Sequence, residues 1–128
     1  MSYYFSKTLS ISFDEAIAKV TDELKKEGFG ILTDIDVKEA LKKKLNVDFR
    51  RYRILGACNP PFAYKALQAE DKIGTMLPCN VIVQEISEGQ VEVAAIDPVS
   101  SMQAVENPVL REIASEIQGK LKKVVNSL

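Results

Sequence analysis

The sequence predicts an α+β fold: a single-domain sandwich over residues 1–128, in which helices cover a mostly antiparallel sheet. Segments with the two-residue period of strands alternate with segments of helical period, in the order β-α-β-α-β-α-β-β-α. The last two strand-like segments are separated only by a short turn, which is typical of an antiparallel hairpin. The final segment carries one long apolar stripe, as a helix that covers a sheet does.

The amino-terminal part predicts a strand followed by an amphipathic helix. Residues 3–9 alternate as a strand at or near the edge of the sheet. Ser12 and Glu15 have the spacing of a capping box, which begins a helix. Gly28 follows the last apolar residue of that helix and provides a left-handed stop.

A second strand and a short helix follow. Residues 29–35 predict the strand, and Asp36 is positioned to cap the helix. Three lysines end this helix, where cations interact favourably with the helix dipole. Its inner face consists of Val37, Ala40, Leu41 and Leu45.

The middle of the chain predicts a third strand and a third helix. Residues 52–57 are rich in β-favouring types and end in a bend at Gly56. Asn59 is a suitable N-cap, with Pro60 at the first helical position. The helix is predicted to end near residues 71–74.

The carboxy-terminal part predicts a hairpin and a long helix. Residues 81–86 and 91–96 form the hairpin, which Asp97-Pro98 ends as a turn. Asn107-Pro108 repeats the combination of cap and proline, and starts a helix over residues 108–128.

The amino-acid composition is typical of a globular domain and not of a membrane protein. The chain has 17 basic and 18 acidic residues, and 46% of its residues are apolar, which is typical of a soluble globular domain. No apolar run reaches the roughly 18 residues that span a bilayer, and the amino terminus does not resemble a signal peptide. We therefore expect a cytoplasmic protein that does not enter a membrane.

Two triplets predict where a site would be. Cys58-Asn59-Pro60 and Pro78-Cys79-Asn80 are near mirror images, and each lies where the chain passes from one element to the next. The convergence of thiols and amides, together with a carboxylate, favours a small-molecule site. Its predicted ligand-binding residues are Cys58, Asn59, Cys79, Asn80 and Asp97.

The cysteines also allow a redox hypothesis. A thiol just before a helix amino terminus can have a lowered pKa, so Cys58 could act in peroxide or disulfide chemistry with Cys79 as its resolving partner. Against this, buried cysteines usually pack as small hydrophobes, and the chain has no histidine to serve as a base. No catalytic residue is assigned beyond these two candidates.

A third hypothesis is a soft-metal site. Cys58 and Cys79 could bind zinc with carboxylates such as Asp34, Asp36 or Asp97. Two sulfurs without a histidine make an incomplete zinc set, so the expectation is that no cofactor is needed, with zinc as the alternative.

Residues 38–53 form a basic cluster. This segment holds seven basic residues against Glu39 and Asp48, so an anion could bind there. The cluster is not accompanied by a DNA-recognition helix or by the aromatic residues typical of single-stranded nucleic-acid binding. This argues against nucleic-acid binding.

The residues also carry a family resemblance. Residues 52–60, the segment Leu77-Pro78-Cys79-Asn80-Val81 and Asp97-Pro98 resemble the signature of the family called domain of unknown function 302. Membership implies a small α+β fold similar to the TATA-binding-protein-like and Bet v 1-like sandwiches, commonly a homodimer, with no established activity. Relatives often carry a histidine near the position of Tyr64, and its absence weakens any mechanism in which a histidine assists Cys58.

These observations favour a non-catalytic, homodimeric module that binds a small molecule or a partner near Cys58 and Cys79. A thiol-dependent redox enzyme or sensor, or a soft-metal-binding protein, is the alternative.

Overall fold

The structure, a computed structural model, describes residues 2–128 and contains one five-stranded antiparallel sheet. The strands lie in the order β1-β5-β4-β3-β2, so that β1 and β2 form the two edges. This confirms that the first strand is an edge strand. The strand bounds are Tyr4–Leu9 (β1), Gly30–Asp36 (β2), Tyr52–Cys58 (β3), Cys79–Ser87 (β4) and Gln90–Ile96 (β5).

Five α-helices connect and cover the strands, and their order with the strands confirms the predicted α+β pattern. A short 3-10 helix, Asp71–Met76, continues the region where the third helix was expected to end. The α-helices are Phe13–Lys26 (α1), Val37–Leu45 (α2), Pro60–Ala69 (α3), Pro98–Ser101 (α4) and Pro108–Asn126 (α5).

The predicted helix ends are confirmed at four positions. The hydroxyl of Ser12 accepts from the Glu15 amide at 3.2 Å and starts α1. Asp36 accepts from the Glu39 amide at 3.0 Å, and Asn107 accepts from the Val109 amide at 3.1 Å. Gly28 follows α1 with a φ of 86°, which is the left-handed conformation that glycine adopts without strain.

Two sequence-based expectations, on Gly56 and on α2, were wrong, and the one on Asp97-Pro98 was correct but incomplete. Gly56 does not bend the chain, because it lies inside β3 and pairs with Asn80 on one side and Thr33 on the other. Asp97-Pro98 does not only end the hairpin but also begins α4. The apolar residues of α2 are not buried, and Leu45 is 66% exposed.

The core lies between one face of the sheet and the helices α1 and α5. Phe13, Val20 and Leu24 of α1 pack with Leu121 and Val124 of α5 in a single buried cluster. The sheet contributes Leu55, Ala57, Val81, Val83, Val91, Val93 and Ala95. This arrangement makes two layers, with both long helices on the same face.

A second, smaller cluster lies beside the first. Ala66, Ile73 and Leu110 are buried there, and the side chain of Ile113 packs against both clusters. The space between the two clusters holds the candidate site. Among residues 2–128, no helix is both long and apolar enough to cross a bilayer.

Candidate functional site

A pocket of about 260 Å³ opens where the ends of β3 and β4 meet α3 and α5. We call it the cysteine pocket, because Cys58 and Cys79 both line it, together with Asn59. The rest of its lining is apolar: Phe29, Leu32, Ala57, Phe62, Ala63, Ala66, Leu67, Leu77, Pro78, Pro98, Met102, Leu110, Ile113, Ala114 and Ile117.

Sheet register brings the two triplets together. Ala57 pairs with Cys79 across β3 and β4, so Cys58 is one residue beyond the partner of Cys79. Antiparallel neighbours are about 5 Å apart, so adjacent strand ends place both triplets at one edge of the core. Asn59-Pro60 then turns the chain into α3, whose inner side forms one wall of the pocket.

The two thiols are free and half-buried. Burial, with a smaller contribution from charge repulsion by the neighbouring Cys58, raises the pKa of the Cys79 thiol to about 11. At neutral pH the Cys79 thiol therefore stays protonated and presents a weakly polar surface to the pocket.

Asn59 lines the pocket, but its side chain does not cap α3 as predicted. Its side chain makes no capping hydrogen bond to α3. Instead, its amide nitrogen donates to the carbonyl oxygen of Glu27, at the end of α1, over 3.1 Å. Asn59 is 8% exposed and is the only buried polar residue in the part of the chain that the structure describes. It ties the end of α1 to the start of α3 at the pocket wall.

Asn80 lies away from the thiols. It follows Cys79 in β4, and successive side chains of a strand point to opposite faces of the sheet. Asn80 is exposed and borders a groove on the face opposite α1 and α5. The predicted grouping of Asn80 with Cys58 and Cys79 is therefore corrected.

Asp97 is adjacent to the cysteine pocket but does not line it. Its carboxylate accepts from the amides of Val99 and Ser100 at the start of α4. Both carboxylate oxygens also accept from the Gln118 side chain, at 3.1 and 3.2 Å. Asp97 thus fixes α4 against α5, while the following residue, Pro98, forms part of the lining.

The carboxylates considered as metal ligands are engaged elsewhere. Asp34 forms an ion pair with Arg53, and its Oδ1 accepts from the Arg53 Nε at 2.9 Å. Asp36 caps α2. Within residues 2–128, no group of three or more histidine, cysteine, aspartate or glutamate side chains is placed to hold a metal ion. The structure does not bring Asp34 or Asp36 to the two thiols.

The basic cluster is largely paired. The Arg51 guanidinium forms an ion pair with Asp14, with 2.8 Å between the Arg51 Nη2 and the Asp14 Oδ1. The Lys38 ammonium donates to the Phe49 carbonyl oxygen at 2.7 Å. Further pairs join Lys42 to Asp48, Lys43 to Glu39, and Arg53 to Asp34. Such pairing lowers the positive potential available to an anion.

Several pocket residues were missed as site residues. Phe62, Ala66, Leu110 and Ile113 were recognisable only as apolar positions on helices, because their pattern is the same in a filled core and in a pocket wall. Met102 lies just after α4, in a segment where the sequence shows little pattern.

The comparisons with known proteins match nearly the whole chain. The family model described as domain of unknown function DUF302 matches residues 5–128. The crystal structure of an uncharacterised conserved DUF302 protein from Bacillus stearothermophilus superposes with a TM-score of 0.89 at 29% sequence identity, covering 98% of each chain. A search of the curated proteins finds no match. The chain therefore belongs to the DUF302 family.

Proposed function

We propose that this chain is a cytoplasmic, non-catalytic module that binds a small apolar molecule in the cysteine pocket. The pocket itself carries the proposal. Protein interiors are close-packed, with few voids larger than a water molecule. A space of about 260 Å³ between two buried clusters, lined almost throughout by apolar side chains, has the form of a ligand site.

Pocket size and lining define the ligand class. An engineered apolar cavity of about 150 Å³ binds benzene, while sites for drug-sized ligands occupy roughly 300–1,000 Å³. The cysteine pocket falls between these values. Its polar groups are limited to Cys58, Asn59 and Cys79, which suits an uncharged aliphatic or aromatic molecule with one or two rings.

The state of the thiols supports binding over redox chemistry. A thiol with a pKa of about 11 is a poor nucleophile at neutral pH, so Cys79 is ill suited to resolve a disulfide with Cys58. Two free thiols are also consistent with a reducing compartment, which supports the cytoplasmic assignment.

Ala63→Phe should test the site by filling it. Ala63 lines the pocket from α3, and a phenyl ring there would occupy space that the ligand needs. With prodan, a neutral two-ring dye, wild type should show a saturable blue shift and gain in fluorescence. In the variant, affinity should fall at least about tenfold, equivalent to about 1.4 kcal/mol.

Ala18→Phe is the matched control, because Ala18 is exposed on α1 and does not line the pocket. It should bind prodan as wild type does. Circular dichroism checks that both variants are folded. Equal affinity in wild type and a folded Ala63→Phe variant, or no saturable binding to wild type, would sink the proposal.

A further inference from the structure

Two lysines flank an aromatic ring at the rim of the cysteine pocket. Phe62 lines the pocket from α3 and is half-exposed, so its ring borders the opening. The Nζ atoms of Lys65 and Lys120 each lie 5.9 Å from the centroid of this ring, so they are at most twice that distance apart. Lys65 follows Phe62 by one turn of α3. Lys120 follows the lining residue Ile117 by one turn of α5, so both walls carry a positive charge beside the opening.

These two charges are free to meet a ligand. Among the residues that the structure describes, neither ammonium group forms an ion pair with a carboxylate. A ring centroid at 5.9 Å is at the outer limit of a cation–π contact, so Phe62 holds both groups only weakly. Glu116 is exposed one turn before Lys120, and Glu27 pairs with Lys123 at 3.3 Å. The rim therefore keeps an excess of positive charge.

The interior of the pocket differs in character from its rim. The lining is apolar apart from Cys58, Asn59 and Cys79, and it contains no charged side chain of the described residues. A charge buried in such a space would lose its hydration without gaining a partner. A ligand that uses both regions therefore has an uncharged apolar body and an anionic group at one end.

The anionic group that suits this rim is a carboxylate. Phosphate groups are often held by arginine or by free amides at a helix amino terminus. Within the part of the chain that the structure describes, the lining contains no arginine. The start of α3 consists of Pro60 and Pro61, which have no N–H to donate. Two ammonium groups on flexible stems are sufficient to bind a group with a single negative charge.

Pocket volume limits the length of the apolar body. A methylene group occupies about the volume of a water molecule in the liquid, roughly 30 Å³. The space of about 260 Å³ therefore holds about eight or nine such groups. We propose that the cysteine pocket binds a medium-chain carboxylate, with its alkyl chain inside the pocket and its carboxylate between the ammonium groups of Lys65 and Lys120. This inference rests on the proposed function, and it adds a charged end to the ligand and two residues to the site.

Three probes with the same eight-carbon chain test the charge preference in the full chain. Isothermal titration calorimetry at about pH 7.5 and low salt compares sodium octanoate, octan-1-ol and octylammonium chloride, which are an anion, a neutral molecule and a cation at this pH. Octanoate should bind at least about fivefold more tightly than octan-1-ol, and octylammonium more weakly than either. The preference for octanoate should shrink in about 0.5 M NaCl, because salt screens exposed charges.

The double variant with Lys65→Gln and Lys120→Gln removes both charges, and Lys122→Gln is the matched control. Lys122 also lies on α5, and its Nζ is 5.7 Å from the centroid of the Phe5 ring, but neither of these two residues lines the pocket. The double variant should bind octanoate and octan-1-ol with equal affinity, whereas the control should keep the wild-type preference. Lys65→Gln alone changes one exposed residue and should lose part of the preference, even if the double variant fails to fold.

Octan-1-ol separates this proposal from the one on which it rests. If wild type binds octan-1-ol as tightly as octanoate, the carboxylate site is wrong and the apolar pocket stands. The same conclusion follows if a folded double variant keeps the preference for octanoate. If neither probe binds to wild type, both proposals are wrong. Ala63→Phe should weaken the binding of both probes, and unchanged octanoate binding by this variant would place octanoate outside the pocket and overturn the inference.

Discussion

At the residue scale, Asn59 shows how one side chain connects the site to the fold. Its buried side-chain amide nitrogen donates to the Glu27 carbonyl oxygen at 3.1 Å. This satisfies a backbone acceptor at the end of α1, where helix carbonyl groups lack partners within the helix. The sequence indicates a cap at this position, since asparagine before proline is typical of a helix start. The actual partner lies 32 residues earlier in the chain, and local patterns carry no information about such a contact.

Cys79 predicts a specific loss of stability at high pH. Its folded pKa of about 11 lies above the ordinary value of 9.0, so the folded state holds the proton more tightly than the unfolded state. This stabilisation is complete below pH 9 and is lost as the pH rises toward 11. Between pH 8 and pH 10.5, wild type should lose about 2 kcal/mol more unfolding free energy than Cys79→Ala.

Urea unfolding with reductant present, at both pH values, measures this difference. The difference between the unfolding free energies of wild type and Cys79→Ala is taken at each pH. This difference cancels the contributions of the lysine and tyrosine titrations that the two proteins share. An identical pH dependence in the two proteins would mean that the Cys79 thiol is not buried in the folded state.

At the element scale, Gly56 sets how closely β2 and the segment before β4 approach β3. A Cβ atom at Gly56 would overlap the Thr33 side chain and lie 2.7 Å from the Pro78 Cγ. Because a proline ring cannot move aside by a rotamer change, Gly56→Ala should destabilise the protein by about 1–3 kcal/mol.

Gly119→Ala is the matched substitution. Gly119 lies inside α5, and apart from its chain neighbours and the helix's own nearby backbone, no atom of the described chain lies within 4 Å of a Cβ built there. Alanine there should stabilise the protein by roughly 0.5–1 kcal/mol. Thermal or urea unfolding compares the two variants, and a neutral Gly56→Ala would contradict the close packing of β3.

The elements differ in how well they could be predicted. Helix starts at Ser12, Asp36 and Asn107 depend on neighbours within three residues, so local sequence was sufficient. Gly56 was misinterpreted because glycine is typical of bends, whereas here it is required by Thr33 and Pro78, which reach it from other segments. Exposure of α2 depends on where tertiary packing places the helix, which its periodicity does not specify.

At the scale of the whole molecule, the site could be predicted in part. A meeting of the two cysteine triplets was one hypothesis from the sequence, and in the structure Cys58 and Cys79 line one pocket. Strand alternation alone places Cys79 and Asn80 on opposite faces of the sheet, which separates Asn80 from the pocket. The pocket volume was not predictable, because it depends on how α3, α4 and α5 leave space between two apolar clusters.

Alanine methyl groups offer the most direct test of the central claim, that the cysteine pocket binds a small apolar molecule. The measurement is a methyl NMR titration of the alanine-labelled full chain with indole, a neutral two-ring compound. We predict saturable shifts for the methyl groups that line the pocket and none for the distant Ala18 and Ala94. The lining methyl groups are those of Ala57, Ala63, Ala66 and Ala114. Unchanged methyl signals, or saturable shifts confined to Ala18 or Ala94, would contradict it.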